Sequence, residues 1–263
     1  MNLQKFDIPR YLATLPMFAG VGANDLQRLA QGSCQLRRFE RGRTIFRAGQ
    51  ECHEFHITVL GQVKMAAVSP AGAEKVIELC GPGYSFGEAA MFRGAPYPVT
   101  AQTLTEVLLL TIEREAVLSL MRGNTEFALN LLAGLSRRLL GLIQDVKGYT
   151  LYSGMQRVIG YLLGEHMSER SHALAVPHLR MAGESDDAQA QVQLPVSKGA
   201  IASRLSLTPE YFSRVLGELE RAGLIKVQRR TISIMDVRRL AHYKTPHAQP
   251  RGGRKRHSHS ARG

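Results

Sequence analysis

Three side chains near the C-terminal end, Glu210, Ser213 and Arg214, have the types and spacing that suit the edges of DNA bases. An arginine can donate two hydrogen bonds to guanine O6 and N7, a glutamate can accept from cytosine N4, and a serine is short enough to reach a thymine edge. Residues 210 and 214 stand four apart, so on a helix they share a side. The same spacing also suits an ordinary surface pair between Glu210 and Arg214. Around them lie Ser197, Lys198, Thr208, Arg229 and Arg230, which suit phosphates. Such contacts position a protein on a duplex without specifying sequence.

These residues must be carried by particular elements. Ser197 can cap a short helix over 197–205, whose Ile201 and Leu205 fall four apart on one face. Thr208 suits a second cap and Pro209 the first helical position, where its missing N–H costs nothing, so a second helix is expected from here to about Ala222, ended by Gly223. Phe212, Val215, Leu216 and Leu219 form its buried stripe, leaving Glu210, Ser213, Arg214 and Gly217 on other faces. LIKVQ and TISIM then alternate like two strands joined at Arg229-Arg230, a basic wing. Helix, turn, helix and wing together make a winged helix-turn-helix, which uses the N-terminal end of its second helix on base edges.

With those residues in place, the chain resembles the Crp/Fnr family of bacterial transcription regulators over roughly residues 15–240. Glu210-Tyr211-Phe212-Ser213-Arg214 looks like the E-x-x-S-R signature of the Fnr-type branch. The resemblance implies TTGAT-like half-sites in an inverted repeat of double-stranded DNA, a homodimer, and RNA polymerase as partner. It also implies an α+β fold: an N-terminal cyclic-nucleotide-binding-like β-roll, a long central dimerisation helix and the C-terminal head. The corresponding divisions are 1–123, 124–150 and 151–243, with a basic tail over 244–263.

The first half fits that expectation on its own terms. From about Arg37 to Ile112, β-rich runs such as HEFHITVL, VKMAAV, KVIELC and EVLLLTI are punctuated by Gly- and Pro-containing turns, as in a small antiparallel barrel or jelly roll. Gly61-Gln62-Val63 and the stretch Phe86–Phe92 resemble the family's β-roll, which makes Gly87 and Glu88 the candidate effector pocket. Cyclic-nucleotide binders of the family carry an Arg and a small hydroxyl residue about ten positions after the Gly-Glu pair; here Pro98-Val99 stands there. A buried phosphate without a cation or donor is costly, so cyclic AMP is not the expected ligand and Glu88 is expected to be a structural acceptor.

Asn124 can cap a long helix reaching about Thr150. Leu132, Leu135, Leu139, Leu142, Val146 and Tyr149 are spaced three, four, three, four, three, the a/d seam of a parallel two-stranded coiled coil. Gly134, Gly141 and Gly148 recur on another face, which suggests close approach by the β-roll there.

NTEFALNLLAGLSRRL and YPVTAQT are similar to Dnr-type regulators of denitrification, a resemblance that implies response to nitric oxide and a haem cofactor. His53 is the candidate axial ligand. His53 and His56, three apart on a probable strand, cannot enter one pocket. With no C-x-x-C-H, a haem would be noncovalent. His166, His172 and His178 fall in a polar insert read as a loop. An Fnr-type iron–sulfur cluster is not expected, because the chain has three cysteines and none precedes Cys34. A non-haem effector, a redox signal at Cys34, Cys52 or Cys80, and an effectorless architectural DNA binder are the alternatives.

Charge agrees with a polyanionic partner. The formal net charge over 263 residues is +12, and six basic residues in 244–263, with no acid, supply half of it. That tail is expected to be disordered, either a DNA-clamping arm or a solvated end. No stretch approaches the ~18 apolar residues of a membrane span, and MNLQKFDIPRYL is not a secretory signal, so the cytoplasm is expected, with reduced thiols. No P-loop, G-x-S-x-G, H-E-x-x-H or dinucleotide fingerprint appears, which argues against an enzyme.

Overall fold

The apolar runs of the first half become strands whose alternate or contiguous apolar side chains pack into one core together with the flanking helices. A computed structural model describes residues 6–164, 180–182 and 189–243. Helix α1 (Ile8–Ala13), a 3-10 turn (Pro16–Phe18) and α2 (Ala23–Gly32) lead into β1 (Cys34–Phe39), β2 (Thr44–Phe46), β3 (Glu54–Leu60), β4 (Val63–Val68), β5 (Glu74–Cys80) and β6 (Ser85–Phe86). A short α3 (Glu88–Arg93) precedes β7 (Thr100–Thr103), β8 (Val107–Glu113) and α4 (Arg114–Gly123). The strands form two four-stranded antiparallel sheets, β1-β8-β3-β6 and β2-β7-β4-β5, a jelly roll. The roll begins at Cys34, three residues before the expected start. Strands β2, β6 and β7, only two to four residues long, carry no alternation to announce them. Gly61 turns β3 into β4 at φ +88, and a Cβ there would stand 2.1 Å from the Glu106 carbonyl oxygen, so only glycine fits.

Helix α5 (Thr125–Leu151) starts where expected: Asn124 Oδ1 accepts from Phe127 N at 2.9 Å. Its inner face sets Phe127 and Leu131 into the sensor core, with Phe127 stacked on Phe18 at 5.1 Å between centroids. Its outer face leaves Leu129, Leu132, Leu139, Leu140, Leu142, Ile143 and Val146 exposed, so it is not an intramolecular core helix. Two members of the expected seam turn inward instead. Leu135 lines a cavity against the sensor, and Tyr149 is held by the head. The other four expected seam members, Leu132, Leu139, Leu142 and Val146, stay exposed, with Ser136 and Ile143 exposed beside them. At two of the three glycines the close approach expected is not made, since a Cβ at Gly134 or Gly148 would meet nothing within 4 Å.

The head comprises α6 (Gly154–Leu163), β9 (Arg180–Ala182), β10 (Gln189–Gln193), α7 (Lys198–Arg204), α8 (Pro209–Arg221), β11 (Ile225–Gln228), β12 (Thr231–Ile234) and α9 (Val237–Ala241). Its own core joins Val158 and Leu162 of α6 to Phe212, Val215, Leu216 and Leu219 of α8 and to Ile232 and Ile234 of the wing. The wing is not a lone hairpin. It belongs to a four-stranded sheet β11-β12-β10-β9, in which Gln189–Gln191 pair with Arg180–Ala182, so the insert read as a loop contributes strands. His166, His172, His178 and the tail over 244–263 lie outside the described residues. No helix among the described residues is long and apolar enough to cross a membrane.

Candidate nucleic-acid interface and effector cavity

Helix α8 is built as the sequence demands. Thr208 Oγ1 accepts from Tyr211 N at 3.2 Å, Pro209 occupies the first turn, and Phe212, Val215, Leu216 and Leu219 are all buried. Burying that stripe forces the opposite side outward, so Glu210, Ser213 and Arg214 are exposed together at the N-terminal end. Among the described residues no ion pair joins Glu210 to Arg214. The Arg214 guanidinium instead lies 4.7 Å from the centroid of the Tyr211 ring.

The phosphate candidates lie at the caps and first turn of α7 and α8 and on the β11–β12 turn. Ser197 and Thr208 cap α7 and α8 with their lone pairs, which leaves each hydroxyl proton free to donate. Arg229 takes φ 55 at the tip of the β11–β12 turn and is exposed. Arg230 donates to the Pro195 carbonyl at 3.0 Å. Ser197, Lys198 and Arg230 also line a cleft of about 560 Å³ whose other wall is the sensor's Arg41 and Leu104–Glu106.

Sensor and head are joined at the C-terminal end of α7, whose last carbonyls need partners from outside the helix. Lys75 Nζ, on edge strand β5, donates to the Ser203 and Arg204 carbonyls (2.5 and 3.0 Å) and to Ser206 Oγ (2.8 Å). Val76 N donates to Ser203 Oγ at 2.9 Å, so the hydroxyl closes a free N–H of the sheet edge. Tyr149 donates to the Arg204 carbonyl at 2.9 Å, while Arg204 donates back to Tyr149 at 2.7 Å and to Asp145 at 2.6 Å. Burial and the neighbouring Arg204 pull the Lys75 ammonium down to about 8, against a smaller opposite pull from Asp145. Tyr149 therefore belongs to the sensor–head junction.

Inside the sensor, Glu88 is buried and acts as the acceptor expected of it: Ser85 Oγ donates to it, and Arg138 Nη1 of α5 pairs with it at 2.9 Å. Arg138 Nη2 donates to the Ser85 carbonyl at 2.6 Å, its guanidinium lies 4.6 Å from the Tyr84 ring centroid, and Nε stands 3.8 Å from Glu78. Tyr84 Oη donates to Glu78 in turn. Burial lowers the Arg138 pKa, but Glu88, Tyr84 and Glu78 more than offset this and hold it above its ordinary value. Sequence reasoning missed Arg138. The one signal for it was the Arg137-Arg138 pair within a leucine-rich stretch of the helix. Beside this network, Leu15, Met17, Leu131, Gly134, Leu135 and Arg137 help enclose a cavity of about 120 Å³. Gly87 turns the chain into α3 at φ +95 and does not line the cavity.

His53 and His56 do part company. His53 precedes β3, is 79% exposed and meets Glu51 at 3.2 Å. His56 is 1% exposed, bonded to Thr111 Oγ1 and Tyr97 Oη (both 3.3 Å), and stacked on Phe46. Burial, and secondarily Arg37, pushes His56 down to about 3. His53 lines an open cleft of about 410 Å³ with Gln35, Arg37, Glu54, Thr111 and Glu113, apart from the cavity at Glu88. The cavity at Glu88 has no histidine among its lining residues and lies far below the ~300 Å³ of even a small drug-sized site. Two thiols are held as the unreactive protonated form: burial, with Glu113, pushes Cys34 up to about 12, and burial raises Cys80 well above its ordinary value.

Residues 36–124 match the model of the cyclic nucleotide-binding domain family, and residues 156–243 that of the Crp-like helix-turn-helix domain. The CRP-like cAMP-activated global transcriptional regulator of Mycobacterium tuberculosis is 26% identical over 230 residues, 88% of this chain and 96% of that one. The solved structure of DNR from Pseudomonas aeruginosa is 33% identical, covering 88% of this chain and 95% of that one, with a TM-score of 0.45. FixK2 from Bradyrhizobium japonicum shares the fold at a TM-score of 0.66, with 19% identity over 82% of this chain and 99% of that one.

Proposed function

The chain belongs to the Crp/Fnr family of DNA-binding transcription regulators, which are not enzymes, and from that premise we propose a homodimer that reads TTGAT-like inverted repeats with Glu210, Ser213 and Arg214. The observation that carries the reading is the trio exposed together at the capped end of α8; Ser197, Lys198, Thr208, Arg229 and Arg230 would supply the phosphate contacts. A second copy of the chain covers the outer face of α5, where Leu132, Leu139, Ile143 and Val146 stand exposed at coiled-coil spacing. Two-fold pairing there would place the two α8 helices about one DNA turn apart. RNA polymerase is the further partner and the bacterial cytoplasm the setting.

The effector enters the cavity between the Pro16–Phe18 turn, the β-roll and α5, next to Glu88 and Arg138. A volume of about 120 Å³ suits a small molecule and not a porphyrin. Cyclic AMP is disfavoured as well, since Arg138 is already engaged by Glu88 and Pro98-Val99 offers no donor set for a phosphate. Nitric oxide acting through haem, the signal the Dnr resemblance implies, would need a site outside this cavity, since His53 does not line it.

Fluorescence anisotropy on a TTGAT inverted repeat and on a scrambled duplex tests the DNA reading. Preference for the repeat is the expected result, and equal binding to both duplexes would refute it. An anaerobic absorption titration with haem and then nitric oxide tests the effector. No saturable Soret shift is expected; a saturable shift with nitric-oxide-dependent DNA binding would overturn the non-haem reading.

A further inference from the structure

Resting on the DNA reading above, we propose that Tyr211 is a specificity-determining positioning residue, its ring holding the Arg214 guanidinium while lying against the bare backbone of Gly154. Two independent contacts carry this. On one side the Arg214 Cζ stands 4.7 Å from the ring centroid, a cation–π geometry. On the other, a Cβ built on Gly154 would fall 2.4 Å from Tyr211 Cε1 and 2.9 Å from Cζ, so the ring occupies the space that any other residue at 154 would need. Leu207 crowds the same spot, its Cδ2 at 3.0 Å from that Cβ, and closes a slot that fixes the ring plane. The backbone of Tyr211 is held too, through its N–H to Thr208 Oγ1.

The placement gives the slot a purpose. An exposed arginine loses rotamer freedom when it settles on a base, and a residue that already holds the side chain reduces that loss. Tyr211 does so for Arg214, which no carboxylate among the described residues fixes. Gly154 follows Ser153, the cap of α6, directly after the end of α5. A shift of the central helix relative to the head would therefore press first on the Tyr211 ring and through it on Arg214. Phe212, the adjacent aromatic, points into the core and cannot substitute.

The test uses the full-length protein and three duplexes: the TTGAT inverted repeat, the same repeat with the guanine–cytosine pair of each half-site replaced by adenine–thymine, and a scrambled sequence. Arg214→Ala, Tyr211→Leu, Tyr211→Phe, Gly154→Ala and the Tyr211→Leu/Arg214→Ala double variant are compared by anisotropy. Tyr211→Leu is expected to lower discrimination at the guanine about two- to fivefold, the scale of an exposed cation–π contact, with affinity for the scrambled duplex unchanged. Tyr211→Phe keeps the ring and the discrimination, Gly154→Ala displaces the ring and lowers discrimination, and Tyr211→Leu has no further effect once Arg214 is alanine. Wild-type discrimination in Tyr211→Leu, or an equal loss on all three duplexes, overturns the proposal while the DNA reading stands. Full discrimination in Arg214→Ala overturns both.

Discussion

Two arginines on two helices, Arg138 on α5 and Arg214 on α8, have opposite fates and thereby separate what holds this molecule together from what it offers to a partner. Arg138 turns inward onto Glu88, the Ser85 carbonyl, Glu78 and the Tyr84 ring, so its charge ties the central helix to the β-roll. Arg214 turns outward, has no carboxylate partner among the described residues, and rests on an aromatic ring. Burial with full pairing makes an arginine structural. Exposure without a partner, on a helix whose other face is anchored by Phe212 and Leu219, leaves an arginine free to bind something else.

The contrast can be broken by substitution. Arg138→Met strands two buried carboxylates, and losses on breaking such pairs run to about 3–5 kcal/mol, so thermal unfolding should show a large drop in Tm. Adding Glu88→Gln should recover part of it. A Tm within a degree or two of wild type would mean that the network does not hold α5. Arg214→Ala should do the reverse: stability stays within about 0.5 kcal/mol, while discrimination at one guanine falls by about 1–3 kcal/mol.

The buried side of the comparison can also be sharpened with pH. His56 has a folded pKa of about 3 against about 6.5 in the unfolded chain. Above pH 6.5 it is neutral in both states and adds no pH dependence. As pH falls from 6.5 toward 3 the unfolded state takes up the proton first, so stability is lost at about 1.4 kcal/mol per pH unit. Denaturant unfolding between pH 4 and 7 should show that slope, and His56→Phe should flatten it. An unchanged slope in the variant would assign the acid sensitivity elsewhere. The smallest effect concerns Lys198: Lys198→Ala should weaken all duplexes alike and reduce the salt slope of binding by about one. A sequence-dependent loss would move Lys198 from phosphate to base.

How much of this was legible in the sequence follows from the range of the interactions. The DNA-facing end of α8 was legible because Thr208, Pro209, the apolar stripe and the Glu-x-x-Ser-Arg spacing lie within twelve contiguous residues and obey local rules. The β-roll was legible where strands are long, in β3, β4, β5 and β8, and illegible at β2, β6 and β7, which tertiary pairing creates from a few residues each. Arg138 was illegible because its partners at 78, 84, 85 and 88 arrive from the β-roll, some fifty residues away. Tyr149 and Leu135 satisfied a heptad count but were claimed by the head and by the cavity. Periodicity identifies the faces of a helix and cannot say which neighbour each will meet.

The most direct test of the central claim is selection from a randomised duplex library by the purified protein, followed by sequencing of the bound fraction. Enrichment of two TTGAT-like half-sites about 10 base pairs apart centre to centre, with the guanine losing its enrichment in Arg214→Ala, is the predicted result. An unenriched pool, or a single half-site whose guanine survives the substitution, would contradict it.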